Sequence, residues 1–279
     1  LTEFTTYGNL ELSRVNADNS GYIDNTNNDR TNYIRNNGIA VQHNIVISYP
    51  RRLTSKVRGL NNRNLLYFAD NNGDIQCIDL RKMEPIWVIE GLDDIDATIT
   101  LEEEDGVPYL YIGDEVDHQG IIGTSTIRKI NGLSGEVVWK NEFTCESVVG
   151  GDATNGGILA TNVIGKNNIS DLVIFSLARY DGFSSGAVIA MSKSTGEVVW
   201  ETKVNNYLWS SPVDFYDEDG NGYIIQCDSA GNMFLIDGRT GIILNTITLD
   251  ANIEASPTIY EDMIVIATRG GSIYGIEIR

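Results

Sequence analysis

Cysteine, histidine and proline are scarce in this chain of 279 residues, at three, two and five, and each shortage removes a class of chemistry. The cysteines, Cys77, Cys145 and Cys227, are odd in number and form no C-x-x-C pair, so they do not make a complete disulfide framework. Cys77 and Cys227 stand in apolar, strand-like runs, where a thiol usually behaves as a small buried hydrophobe. His43 and His118 lie near no other histidine or cysteine at metal-ligand spacing, which argues against zinc. No apolar run approaches the roughly 18 residues of a membrane-spanning helix. There is no G-x-S-x-G elbow and no nucleotide-binding glycine loop. No charged-then-apolar leader precedes Leu1, so a signal peptide is expected to be already removed or never present.

Positive charge is the other shortage. Twenty Lys and Arg face 39 Asp and Glu, for a net charge of −19. Such a chain repels nucleic acid and anionic membrane, and neither is expected as a partner. The basic residues are also unevenly placed. Between Arg30 and Phe68 there is no Asp or Glu, but there are Arg30, Arg35, Arg51, Arg52, Lys56, Arg58 and Arg63. A basic segment on an acidic body is expected to pair either with that body or with a neighbouring copy.

What the chain has in quantity is repetition. Gly73-Asp74-Ile75-Gln76-Cys77-Ile78-Asp79 aligns without gaps with Gly231-Asn232-Met233-Phe234-Leu235-Ile236-Asp237 and with Gly271-Ser272-Ile273-Tyr274-Gly275-Ile276-Glu277. Each is a glycine turn followed by an alternating strand and an acidic residue. A second pattern follows that acidic position. Asn131-Gly132-Leu133-Ser134-Gly135-Glu136-Val137-Val138-Trp139 matches Ser192-Lys193-Ser194-Thr195-Gly196-Glu197-Val198-Val199-Trp200. The copy beginning at Asp237 keeps the turn but has Asn245 in the tryptophan position, and the copy from Asp79 to Trp87 has Met83 in place of the turn glycine. A polar residue closes one strand, Ser or Thr with Gly makes the turn, and β-branched residues open the next strand. The tryptophan is an apolar plate for packing against the next unit. The whole unit is four short strands, best seen at residues 211–215, 223–227, 232–237 and 241–246.

The Ser/Asp-x-x-Ser/Thr-Gly-x-x-x-Trp pattern resembles the repeats of PQQ-dependent quinoproteins and of BamB-like propellers, over roughly residues 43–279. The resemblance implies an all-β fold, a β-propeller of four-stranded antiparallel blades. Four complete repeats and one composite repeat make five blades. The last repeat ends after three strands, so residues 44–50 are expected to supply its closing strand, with the first full repeat opening at residues 53–59. Residues 1–42 hold nine asparagines and little strand periodicity. They read as an N-terminal extension that either covers the propeller or is donated to another subunit by β-augmentation.

Two segments have the alternating oxygen ligands and sharp glycine turn of a calcium loop. One is Asp217, Asp219 and Asn221 before Gly222, with Asp228 at the twelfth position. The other is Asn16, Asp18 and Ser20 before Gly21, followed by Asp24 and Asn27. Ca2+ is the one cofactor expected; the plain alternative at both is a polar turn. For PQQ itself, the resemblance implies a longer, eight-bladed enzyme with adjacent cysteines and a stacking tryptophan on the axis. This chain has no adjacent cysteines, and Trp139 and Trp200 fall on outer strands by repeat position, so PQQ is not expected.

Loops on a rigid scaffold are where function concentrates. Two connections between second and third strands lengthen, at residues 113–125 with Asp114, Glu115, Asp117 and His118, and at residues 178–185 with Arg179, Tyr180, Asp181 and Phe183. These are the candidate partner-binding residues. The sequence therefore reads as a non-catalytic, extracytoplasmic propeller, secreted, periplasmic or on the cell surface, that binds other proteins or further copies of itself. BamB-like proteins, which it resembles, act as periplasmic scaffolds. The alternative is an enzyme directed at carbohydrates or alcohols, with a carboxylate site at the propeller channel.

Overall fold

The computed structural model describes residues 45–48, 64–148 and 155–278. The extension at residues 1–42, with the Asn16, Asp18, Ser20 and Asp24 loop, and most of the basic segment lie outside them. The described residues form antiparallel strands in five successive sheets. Ile45–Ser48 (β1), Leu65–Ala69 (β2), Ile75–Asp79 (β3) and Glu84–Ile89 (β4) make the first. Thr100–Glu104 (β5) and Val107–Gly113 (β6) open the second; a short Glu115–Val116 (β7) intervenes before Ile122–Asn131 (β8) and Val137–Glu146 (β9) complete it. The third sheet has six strands: Val163–Ile164 (β11), Leu172–Ala178 (β12), Gly186–Ser192 (β13) and Val198–Val204 (β14) pair in order, and Gly156–Gly157 (β10) joins β12 to β7. Val213–Tyr216 (β15), Gly222–Cys227 (β16), Asn232–Asp237 (β17) and Ile243–Thr248 (β18) make the fourth, and Thr258–Tyr260 (β19), Met263–Ala267 (β20) and Ile273–Glu277 (β21) the fifth.

One expectation is corrected. Ile45–Ser48 does not pair with β21 as a closing strand; it pairs antiparallel with β2, from Ile45 opposite Phe68 to Ser48 opposite Leu65. It therefore takes the first place in the first sheet, which had been expected of residues 53–59. The reason is compositional: an Ile-Val-Ile-Ser run suits a pleated strand and pairs with the apolar β2; residues 53–59 lie outside the described residues.

The sheets are tied by a repeated joint. In each of the first four sheets the register shifts once between the last two strands, after Cys77, Lys129, Ala190 and Leu235. Each of these residues lies two before the turn's polar residue, so the bulge that sharpens strand twist recurs at one repeat position. The turn closes with an N–H to carbonyl bond from Gly135 to Asn131, Gly196 to Ser192 and Gly241 to Asp237, each 2.8 Å. These glycines have φ near +76°. The tryptophan of the preceding sheet lies against each turn. Trp87 donates to the carbonyl of Gly132 at 2.9 Å, Trp139 to Lys193 at 2.9 Å and Trp200 to Gly238 at 3.1 Å. Two residues on, Asn141 and Thr202 bond the carbonyls of Gly196 and Gly241.

Apolar clusters fill the space between consecutive sheets. The fifth sheet buries Ile264 and Ile266 against the fourth, while Tyr260, Met263, Val265 and Ile273 on its other face are exposed.

Candidate functional site

The sheets hold their connecting loops at two ends, and at one end the second and third sheets are stitched together. Gly156 and Gly157 of β10 pair with Val116 and Glu115 of β7, and Gly157 also pairs with Ala178 at the end of β12. Only glycine fits here: a Cβ on Gly156 would lie 2.0 Å from the carbonyl oxygen of Glu146. Glu146 N–H donates to Arg179 O at 3.0 Å, and Ser147 N–H to Ile121 O at 2.8 Å. The end of β9 thus joins the two lengthened connections that the sequence singled out.

The first connection is organised by Asp93, which no sequence motif marks. Its buried carboxylate accepts the backbone N–H groups of Asp94, Asp117 and His118 at 2.9, 3.0 and 3.0 Å, and Gln119 Nε2 at 2.8 Å. His118 bridges Asp93 and Asp117, with Nδ1 3.4 Å and Nε2 3.2 Å from their carboxylates. Gln119 exchanges two 2.9 Å bonds with the backbone of Thr124. Held this way, Ile121 and Ile122 stand 65% and 62% exposed.

The predicted partner-binding residues divide between surface and interior. Asp117 is partly exposed, and His118, Asp181 and Phe183 are at or near the surface. Asp114, Glu115 and Arg179 are buried, so they do not form the outward face expected of a loop; β7 pulls the first two into the sheets. Asp114 pairs with Arg128 Nη2 at 2.9 Å and accepts the Thr126 N–H. Burial raises its pKa, and Arg128 opposes the rise. Arg179, at φ +53°, donates to Phe183 O at 2.8 Å and lies 3.8 Å from the Phe183 ring centroid. It serves as the internal strut of its own loop and leaves Phe183 50% exposed. Tyr180 is partly exposed, packs edge-on to Phe143 and donates to Glu201 at 3.3 Å. Asp181 bonds Lys203.

A group of three carboxylates lies beneath. Asp94, Asp96 and Glu115 place ligand oxygens within 4.8 Å of one another. Glu115 is fully buried and accepts Asn155 Nδ2 at 2.7 Å on one oxygen. Burial first, and then the charge of Asp96, pushes its pKa up to about 10. Asp94 is pushed up to about 6 by the same two causes. The signal that would have found them is the Asp-Ile-Asp alternation at residues 94–96, which sits in a connection rather than in a motif.

The expected calcium loop at the fourth sheet is also divided. Asp217 Oδ1 accepts the N–H groups of Asp219 and Asn221 at 3.1 and 2.8 Å, and Oδ2 accepts Asn221 Nδ2 at 2.8 Å and the Tyr223 hydroxyl at 3.2 Å. These bonds, led by those from Asn221, hold its pKa below the usual carboxylate range. Asp228 lies beyond the whole of β16 and is not brought to Asp217, because six strand residues span about 20 Å. It accepts Ala230 and Asn232 N–H groups at 2.9 Å and the side-chain amides of Asn206 and Asn232 at 2.9 and 2.8 Å. The twelve-residue loop is instead a hairpin turn and a strand.

Residues 184–279 match the family model described as outer membrane protein assembly factor BamB. The structure is similar to that of BamB from Moraxella catarrhalis, with a TM-score of 0.53 and 15% identity over 84% of this chain and 61% of that one. A quinohemoprotein alcohol dehydrogenase from Pseudomonas putida aligns at TM-score 0.47 and 12% identity, over 66% of this chain and 33% of that one. A 99-residue segment is 24% identical to the beta-alanine-activating enzyme of Danio rerio, covering 35% of this chain and 9% of that protein.

Proposed function

The chain carries PQQ-like repeats of the BamB type, and on that premise we propose that it is a non-catalytic, extracytoplasmic scaffold that binds other proteins. The observation that carries this reading is the pair of braced loops. Ile121, Ile122 and Phe183 are exposed apolar side chains held on a rigid frame by Asp93, Gln119 and Arg179, and apolar groups fixed on a rigid scaffold suit a protein interface. The finer architecture belongs to the same proposal: five blades closed into a ring, with residues 1–42 an extension that folds back or is donated to another copy. Calcium at the Asn16 segment is part of it as a stabilising ion. The name of the matching family, an assembly factor for outer membrane proteins, supports the protein-binding role and the location outside the cytoplasm.

Carboxylates with raised pKa values favour the alternative, catalysis on carbohydrates. Against it, Glu115 is fully buried and cannot touch a sugar, and a general acid must reach the atom it protonates.

The test is the Ile122→Asp, Phe183→Ala double variant. It should lose at least tenfold in partner capture from the extracytoplasmic fraction while keeping the parent's circular dichroism and melting temperature. Undiminished capture would overturn the loop assignment.

A further inference from the structure

Glu115 Oε1 and Asp94 Oδ1 are buried and accept a hydrogen bond from no standard donor among the described residues; the Asp96 carboxyl reaches the Glu115 side chain, but two carboxyl groups can bond each other only by holding a proton between them. Glu115 is 0% exposed and Asp94 7%. Such oxygens are costly to leave unsatisfied. Nor does the surrounding charge help them. Among the described residues, the ionic groups acting on Glu115 are Asp96 and Asp94, and those on Asp94 are Asp96, Asp117 and the imidazole of His118.

The repeat itself shows what is missing. Glu115 N–H donates to Asp94 O at 2.8 Å; at the same place in the fifth sheet Arg269 N–H donates to Asn252 O at 2.9 Å. Glu115 therefore corresponds to Arg269, and Asp96, two residues after the accepting carbonyl, corresponds to Glu254. In the fifth sheet those two positions form an ion pair, with Arg269 Nε 2.6 Å from Glu254 Oε2. In the second sheet the arginine is replaced by a glutamate and Asp94 adds a third carboxylate, so the position that carries a cation in one repeat carries only anions in the other.

We infer that Asp94, Asp96 and Glu115 form a binding site for a hard divalent cation of the Ca2+ type. All three donors are carboxylate oxygens, the ligands that Ca2+, Mg2+ and Mn2+ prefer over softer metals. Their spread within 4.8 Å suits Ca2+, whose ligands at 2.3–2.6 Å stand up to about 5 Å apart across the ion. Asp96 is exposed, which gives the ion an entry and leaves room for water ligands. The ion would clamp the connection between β4 and β5 to β7, directly beneath Asp117 and His118.

The test is Ca2+ binding by the chelator-treated full chain, followed by equilibrium dialysis and calorimetry, with Mg2+ and Mn2+ titrated in parallel. The parent should bind an equivalent that Glu115→Gln removes and that the exposed-site variant Asp96→Asn weakens at least tenfold. Asp217→Asn should leave that equivalent in place. Ca2+ should raise the melting temperature of the parent and of Asp217→Asn, and not that of Glu115→Gln. A parent that binds none of the three ions at millimolar concentration would overturn the inference. So would Asp96→Asn and Glu115→Gln variants that bind Ca2+ as the parent does.

Discussion

Trp139 donates its indole N–H to the backbone carbonyl of Lys193 at 2.9 Å, across 54 residues of chain and from one sheet to the next. The bond recurs from Trp87 to Gly132 and from Trp200 to Gly238, so three of the junctions between sheets share one joint. In the fourth sheet Asn245 stands where the tryptophan would be, and among the described residues no such bond reaches the fifth.

Removing a joint should loosen the molecule at that junction. Trp200 is almost fully buried, and Trp200→Ala should cost about 3–5 kcal/mol, as large-to-small core changes do. Trp200→Phe keeps much of the apolar area but leaves the Gly238 carbonyl unpaired, at about 1–3 kcal/mol. Urea denaturation followed by tryptophan fluorescence and circular dichroism checks both values.

The turn glycines depend on the same contact. Gly196 has φ +77°, and a Cβ there would lie 2.7 Å from the Trp139 ring. Gly196→Ala should destabilise by about 1–3 kcal/mol, from the left-handed backbone and the clash together. Gly271 also has a positive φ but nothing within 4 Å of its Cβ position, so Gly271→Ala should cost only the backbone part. Equal losses in the two variants would remove the tryptophan contact from the explanation.

Asp114 and Arg128 form a buried pair 2.9 Å apart. Arg128→Met leaves a buried carboxylate without its counter-charge and should cost about 3–5 kcal/mol. Pairing it with Asp114→Asn should recover part of that loss, which a double-mutant cycle would measure.

Burial pushes the Cys145 and Cys227 thiols up to about 12. At pH 8 their thiolate fraction is then about one in ten thousand, and the thiolate is the reactive form. Neither should react with a thiol reagent in the native protein over hours, and both should react within minutes in denaturant. Fast labelling of the native protein would contradict their burial.

The sequence made the repeat unit legible because strand period and turn chemistry are local. The strand Asn232–Asp237 was read with its observed bounds, and Trp139 and Trp200 were read as packing residues for the next unit. Ile45–Ser48 was read as a strand but assigned to the wrong sheet, since pairing between distant segments has no local signature. The burial of Asp114, Glu115 and Arg179 was hidden because polar residues between two strands look like a surface loop. Only β7 and β10, each two residues long and held by glycines, fold that connection inward. Asp217 and Asp228 had calcium-loop spacing, but spacing along a chain is a ligand set only where the chain is looped, and here β16 runs straight between them. Asp94 and Asp96 carry no local signature, because their partner Glu115 lies on another element.

The central claim is that the braced loops of the second and third sheets are a protein-binding surface. A photo-crosslinking amino acid placed at Phe183 tests it most directly, with Val199, exposed on the outer strand β14, as the control position. The account predicts a discrete protein adduct at 183, formed in the extracytoplasmic fraction and absent at 199. No adduct at 183, or the same adducts at both positions, would contradict it.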